Sequence, residues 1–139
     1  MPQISEQELL GMPASDYMNE KQLSFFQEYL LELKSDLLTE VEQGQQAIAT
    51  TKLALADDLD RAAAEQENQQ RLRFTGRKNL LLRKIQRALE KIKDGSYGYC
   101  EISGDPIGLR RLLIRPTAEL SFEEKARQEI LERNYSKRR

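Results

Sequence analysis

Three aspartates, Asp57, Asp58 and Asp60, lie within a stretch of four residues. One aspartate is enough to cap a helix, because its carboxylate accepts from backbone N–H groups and favours the positive end of the helix dipole. Three carboxylates repel one another at an exposed position, which suggests that the negative charge itself is used. Nothing in the stretch pre-organises the triad as a metal site. A helix cap and a contact with a partner therefore both stay open.

Two long helix-forming segments flank these aspartates. The first carries apolar residues at steps of three and four, typical of a coiled-coil seam: Leu23, Phe26, Leu30, Leu33, Leu37 and Val41. The second repeats the pattern at Leu82, Ile85, Leu89 and Ile92. Two long helices joined by a short turn run antiparallel. The sequence thus predicts a coiled-coil hairpin over residues 19–94, capped by Asn19, ending at Gly95, with its tip at 55–61.

The remaining residues predict a small globular head. Residues 97–100 and 107–109 are expected to pair as a β-hairpin, and Ser121 to Glu124 form a capping box that begins a last helix. Residues 1–18 are expected to pack on this head, which spans 95–139. The fold class is therefore mainly α. The expected core of the head consists of Tyr97, Tyr99, Ile107, Leu109, Leu112, Leu120 and Phe122.

Composition excludes several classes of function. The 139 residues contain no histidine, which removes the commonest general base and metal ligand. No credible nucleophile or phosphate-binding loop is present either, so the chain is not expected to be an enzyme. No apolar run approaches the roughly 20 residues of a membrane span. A single cysteine and no secretory signal pattern indicate a cytoplasmic protein.

Charge is distributed unevenly along the chain. Residues 1–60 carry 12 acidic and 3 basic side chains, whereas residues 61–139 carry 11 acidic and 19 basic ones. Opposite charges on two antiparallel arms attract, so pairing of the hairpin is one explanation. A basic surface for a phosphate ligand or nucleic acid is the other. The second explanation supports an alternative function, a coiled-coil protein that binds nucleic acid through its basic second helix.

Five motifs are spread over about residues 16 to 132: Met18-Asn19-Glu20, the tip from Asp57 to Ala63, Tyr97-Gly98-Tyr99-Cys100-Glu101, the stretch from Ile107 to Leu112, and Arg115-Pro116-Thr117-Ala118. Together they resemble the DksA family of transcription regulators. The resemblance implies a globular head that bears a coiled-coil finger. It implies a monomer that binds bacterial RNA polymerase rather than specific DNA sequences. The finger would enter the secondary channel, destabilise open promoter complexes and act with the alarmone ppGpp in the stringent response.

The resemblance also implies roles for individual residues. Asp57, Asp60 and Ala62 match tip positions that contact the polymerase near its active site, with Asp57 serving partly as a cap. Arg77 matches a polymerase contact on the coiled coil. Lys84, Arg115 and Lys125 match positions that bind ppGpp, although each could equally be a solvated surface cation. A further position of that pocket, an asparagine in the family, is Ala54 here.

One motif departs from the family pattern. Typical members bind zinc through four cysteines, whereas this chain has Cys100, Ser103, Ser121 and Glu124 at those positions. One thiol, two hydroxyls and a carboxylate are a poor tetrahedral zinc set. No metal or other required cofactor is therefore expected, and Cys100 is expected to be a small buried residue rather than a reactive thiol.

Overall fold

The computed structural model describes residues 4–54 and 61–137, with side chains described from 4 to 50 and from 62 to 136. Within these ranges it contains five α-helices and a short 3₁₀ turn at Ala14–Asp16. The helices are α1 (Glu6–Leu10), α2 (Glu20–Ala54), α3 (Arg61–Asp94), α4 (Leu109–Ile114) and α5 (Phe122–Lys137). The mainly α fold class is thereby confirmed.

The chain forms two compact units. The coiled-coil unit runs from Leu31 to Arg87, and the head unit comprises the residues up to Leu30 together with those from Ala88 onward. The long helices α2 and α3 contribute residues to both units. Their ends follow the predicted signals, since the Asn19 side chain accepts from the Gln22 N–H at 2.9 Å and Gly95 ends α3 with φ 86°.

In the coiled-coil unit, α2 and α3 pack as an antiparallel pair. The Lys34 ammonium lies 3.2 Å from the Gln86 amide oxygen, and Glu40 pairs with Lys78 at 2.9 Å. Later residues of α2 thus meet earlier residues of α3, as an antiparallel pair requires. Val41, Ile48 and Ile85 supply buried apolar side chains.

Gly44 interrupts the apolar repeat of α2 because α3 approaches closely at that point. A Cβ atom built on Gly44 would lie 3.2 Å from the Thr75 hydroxyl oxygen. A side chain at this position would crowd the Thr75 hydroxyl of α3, so the glycine leaves room for that side chain. The break in the sequence pattern therefore marks close packing and not a weak point of the helix.

The head unit contains a tight turn where the sequence predicts a β-hairpin. Among the described residues, one isolated bridge between Tyr99 and Pro106 replaces the two expected strands. Gly98 and Gly108 flank the bridge with φ values of 91° and 103°, which strand backbone does not adopt, so pairing stops there. The expected returning strand ends because Leu109 already begins α4, a helix that the sequence analysis did not predict.

Three tyrosine hydroxyls tie the loops of the head unit to its helices. Each donates to a backbone carbonyl: Tyr17 to Gly98 at 2.6 Å, Tyr29 to Leu113 at 3.1 Å, and Tyr97 to Pro116 at 2.7 Å. The Tyr17 oxygen also accepts from the Gly108 N–H at 3.0 Å. Burial raises the pKa of both the Tyr17 and the Tyr97 hydroxyl, so both stay protonated donors at neutral pH.

The predicted head core is correct in part. Tyr97, Ile107 and Leu112 are buried, and Leu9, Phe26 and Leu30 join them from the other end of the chain. Tyr99, Leu109 and Leu120 are half-buried. Phe122 was expected inside and is 73% exposed, so this part of the prediction is wrong. It is the first residue of α5, which places it at the rim of the packed residues.

We predict that Tyr97→Phe lowers the free energy of unfolding by about 1–2 kcal/mol, because it removes the hydrogen bond to the buried Pro116 carbonyl. Thermal unfolding followed by circular dichroism should show a melting temperature several degrees lower. Tyr99→Phe is the matched control. It lies in the same turn, and its hydroxyl makes no hydrogen bond within the described residues. Equal melting temperatures for the two variants would contradict the role given to the Tyr97 hydroxyl.

Candidate functional site

The predicted tip residues are only partly within the described structure. Asp57, Asp58 and Asp60 lie outside the described residues. Ala62 lies in the first turn of α3 and is exposed. Its side chain is small and accessible to solvent.

Arg77 is exposed on α3 in the coiled-coil unit. It lines a shallow depression of about 560 Å³ together with Arg73 and Phe74. The Phe74 ring is 60% exposed, and the Lys78 ammonium lies 5.4 Å from its centre. Lys78 also pairs with Glu40, so one basic residue of α3 does serve hairpin pairing. Arginines beside an exposed aromatic ring are a surface composition enriched in protein interfaces.

The three predicted alarmone residues fall into two groups. Arg115 and Lys125 line the same groove of the head unit, whose volume is about 1010 Å³. Lys84 is exposed on α3 in the coiled-coil unit. The head unit therefore places two of the three cations along one groove, and the third lies in the coiled-coil unit.

Sequence reasoning missed two further cations of this groove, Arg110 and Arg111. The Arg111 Nε donates to the Leu120 carbonyl at 3.1 Å, which fixes the guanidinium against the segment before α5. This bond uses one of the five donors of an arginine side chain. The signal available in the sequence was the close spacing of three arginines, Arg110, Arg111 and Arg115, around the short helix α4.

The four degenerate metal positions lie close together but are arranged for hydrogen bonding. The Ser103 N–H donates to the Cys100 sulfur at 3.5 Å, and the Ser121 hydroxyl accepts from the Glu124 N–H at 3.3 Å, which caps α5. The Glu124 carboxylate lies 3.8 Å from Arg127. No cluster of three or more His, Cys, Asp or Glu side chains suited to a metal occurs in the described part of the chain. These donors do not fit zinc.

Cys100 is buried, as predicted, and its thiol is unusually acidic. Burial raises the pKa of the thiol, but hydrogen bonds from the Ser103 hydroxyl and from the backbone N–H groups of Ser103, Ser121 and Ile102 outweigh burial and lower the pKa to about 6. N–H donors stabilise a thiolate in the same way as a nearby positive charge. The turn therefore holds a thiolate through hydrogen bonds.

Comparison with known proteins assigns the family. The model of the N-terminal domain of the DnaK suppressor protein DksA matches residues 22–92, and that of the prokaryotic dksA/traR C4-type zinc finger matches residues 95–129. An RNA polymerase-binding transcription factor DksA from Caulobacter vibrioides is 42% identical over 123 residues, which cover 87% of each protein.

The chain belongs to the DksA family. DksA from Escherichia coli K12 is 39% identical over 121 residues, covering 87% of this chain and 80% of that protein. The solved structure of transcription factor DksA2 from Pseudomonas aeruginosa matches with a TM-score of 0.86 and 43% identity, covering 93% of this chain and 99% of the other. Membership in this family confirms that the protein is not an enzyme. In the described residues, no helix is both long and apolar enough to cross a membrane.

We predict that the protein purifies without stoichiometric zinc. A serine hydroxyl is too weak an acid to replace a thiolate ligand at neutral pH, and Cys100 with Glu124 would fill only half a tetrahedron. Elemental analysis should find much less than one zinc per chain, and a strong chelator should leave the helical circular dichroism signal unchanged. One bound zinc per chain, or loss of helix on chelation, would contradict the prediction.

The low pKa of Cys100 predicts a pH dependence of stability. An unfolded cysteine has a pKa of about 8.5, so between about pH 6 and pH 9 the unfolded chain binds more protons at this group than the folded chain. The stability conferred by the thiolate is therefore present at high pH and lost as pH falls through about 6. Chemical denaturation across this range should show the parent gaining stability relative to Cys100→Ala as pH rises. A constant difference would show that the thiol stays protonated.

Proposed function

We propose that this protein regulates transcription by binding bacterial RNA polymerase and inserting the tip of its coiled coil into the secondary channel. Family membership over most of the chain carries the proposal, together with the names of relatives such as the DksA proteins of C. vibrioides and E. coli, described as RNA polymerase-binding transcription factors. The coiled-coil unit supports it through exposed Arg77 and Phe74, which offer charge and apolar surface to a partner.

At the tip, the proposed active element is negative charge. Asp60, and Asp57 to a lesser degree, would act near the catalytic centre of the polymerase, with the exposed Ala62 in the same contact. A carboxylate in that position would act on nearby cations and mobile polymerase segments through its charge. Open promoter complexes would lose stability, so promoters whose open complexes are short-lived would be repressed.

The head unit is the proposed place of alarmone binding. The two diphosphates of ppGpp, each with more than one negative charge, need several converging cations, and arginine can bind phosphate with two parallel hydrogen bonds. Arg115 and Lys125 line one groove, with Arg110 and Arg111 beside them. Lys84 is the third family position, and it is exposed and accessible to a ligand. We propose that these cations bind ppGpp in the complex with polymerase.

We predict that Asp60→Asn keeps the affinity for RNA polymerase within a few-fold and abolishes the effect on promoter complexes. Asparagine has the same size and is as good a helix cap as aspartate, so the change removes charge alone. The measurements are binding to core polymerase and the lifetime of a ribosomal RNA promoter complex. Asp58→Asn, at a position without an assigned contact, is the matched control. Normal regulation by Asp60→Asn would mean that the carboxylate only caps α3.

We predict that Lys84→Ala combined with Lys125→Ala removes the response to ppGpp and keeps basal binding to polymerase. Both lysines lie outside the buried core, so the double variant should fold normally. Transcription from the same promoter with and without ppGpp measures the response. Lys21→Ala with Lys93→Ala removes the same charge from two other exposed positions and should respond like the parent. An unchanged ppGpp response in the first variant would contradict the proposed site. Salt-sensitive binding to DNA without polymerase would favour a nucleic-acid-binding protein instead.

A further inference from the structure

Phe122 stands out because its ring is exposed inside the cationic groove of the head unit. It is 73% exposed, although a phenylalanine gains free energy by burial. The same groove is lined by Arg115 and Lys125. Phe122 and Lys125 are three residues apart on α5, a spacing that places two side chains on one side of a helix. Both residues line the groove, and the Lys125 ammonium also donates to the Gln128 amide oxygen at 3.3 Å.

Charge in the groove selects an anionic ligand. Four cations line it, Arg110, Arg111, Arg115 and Lys125, against one carboxylate, that of Glu129. Arg111 is held in place by its bond to the Leu120 carbonyl. A fixed cation binds phosphate with less loss of conformational entropy than a free one. The volume of about 1010 Å³ is at the upper end of the range for small-molecule sites, enough for a nucleotide.

We propose that Phe122 stacks on the purine base of the nucleotide whose phosphates bind the cations of this groove. This contact makes the groove prefer a ligand that carries a base over one that consists of phosphates alone. The inference deepens the proposed function and rests on it. Stacking on an exposed aromatic ring is a general means of holding a base, because every base presents a π-face. The cations alone would hold any polyphosphate of suitable size. Phe122 adds a contact that a ligand without a base cannot make.

A protein segment is the competing occupant of the groove. Exposed apolar residues such as Leu10 and Ile114 also line it, and an acidic segment with an aliphatic side chain would be attracted by the same charges. The excess of cations favours the nucleotide, because phosphates carry more negative charge in a small volume than a peptide does. The two occupants predict different results in the absence of nucleotide. If a protein segment fills the groove, Phe122 contributes to polymerase binding without nucleotide; if a nucleotide fills it, Phe122 does not.

The experiment measures binding of radiolabelled ppGpp to RNA polymerase in the presence and in the absence of this protein. The difference between the two measurements is the ppGpp binding that depends on this protein. Phe122→Leu keeps an apolar side chain but removes the π-face, and Phe122→Trp keeps it. Ile130→Ala changes another exposed apolar residue of α5 outside the groove and is the control. We expect about tenfold weaker binding for Phe122→Leu and near-normal binding for Phe122→Trp and Ile130→Ala. Inorganic tetraphosphate should bind the parent and Phe122→Leu equally.

Each contrary outcome has a distinct meaning. Normal ppGpp binding by Phe122→Leu, with weak binding by Lys125→Ala, would overturn stacking and leave the proposed alarmone site intact. Absence of any protein-dependent ppGpp binding in the parent would overturn the alarmone site as well. Weaker binding of Phe122→Leu to polymerase in the absence of nucleotide would overturn the inference in favour of a protein segment in the groove.

Discussion

The head unit depends on hydrogen bonds from tyrosine hydroxyls to backbone carbonyls. Tyr17, Tyr29 and Tyr97 join segments 81, 84 and 19 residues apart in sequence. The loop from residue 95 to 108 has almost no regular structure, so its backbone groups need other partners. In a protein whose loop lacks a fitting zinc set, these bonds supply cross-links that metal ligands would otherwise provide. The position of α4, and with it Arg111 and Arg115, follows from them.

The coiled-coil unit is stabilised differently. Its buried apolar residues, such as Val41 and Ile48, are spaced along a seam that also contains Gly44 and the buried Asn68. Polar and small residues in a seam reduce the burial free energy per turn, and pairs such as Glu40 with Lys78 add only modestly to it. Such a seam sets the register of two helices without a large core. Exposed side chains such as Arg77 are then held in place on a helix whose other face packs in the seam.

The structural elements that could be predicted from the sequence are those determined by residues close together in the chain. The two long helices follow from a repeat that each segment carries in itself, and their ends follow from Asn19 and Gly95. The Tyr17 and Tyr29 bonds join residues far apart in sequence, so no local pattern reveals them. The β-hairpin was predicted from strand-forming residues, and positive φ values at Gly98 and Gly108 prevent it. Tertiary geometry overrides strand propensity there.

Ser121 connects the degenerate zinc loop to the groove. Its backbone N–H helps stabilise the Cys100 thiolate, and its hydroxyl caps α5 by accepting from Glu124. The next residue is Phe122, and Lys125 donates its N–H to the Ser121 carbonyl at 2.9 Å. Helix α5 carries both Phe122 and Lys125. Its first turn is therefore held by hydrogen bonds to the loop around Cys100. Hydrogen bonds at this one serine therefore fix where the last helix begins and tie that start to the turn around Cys100.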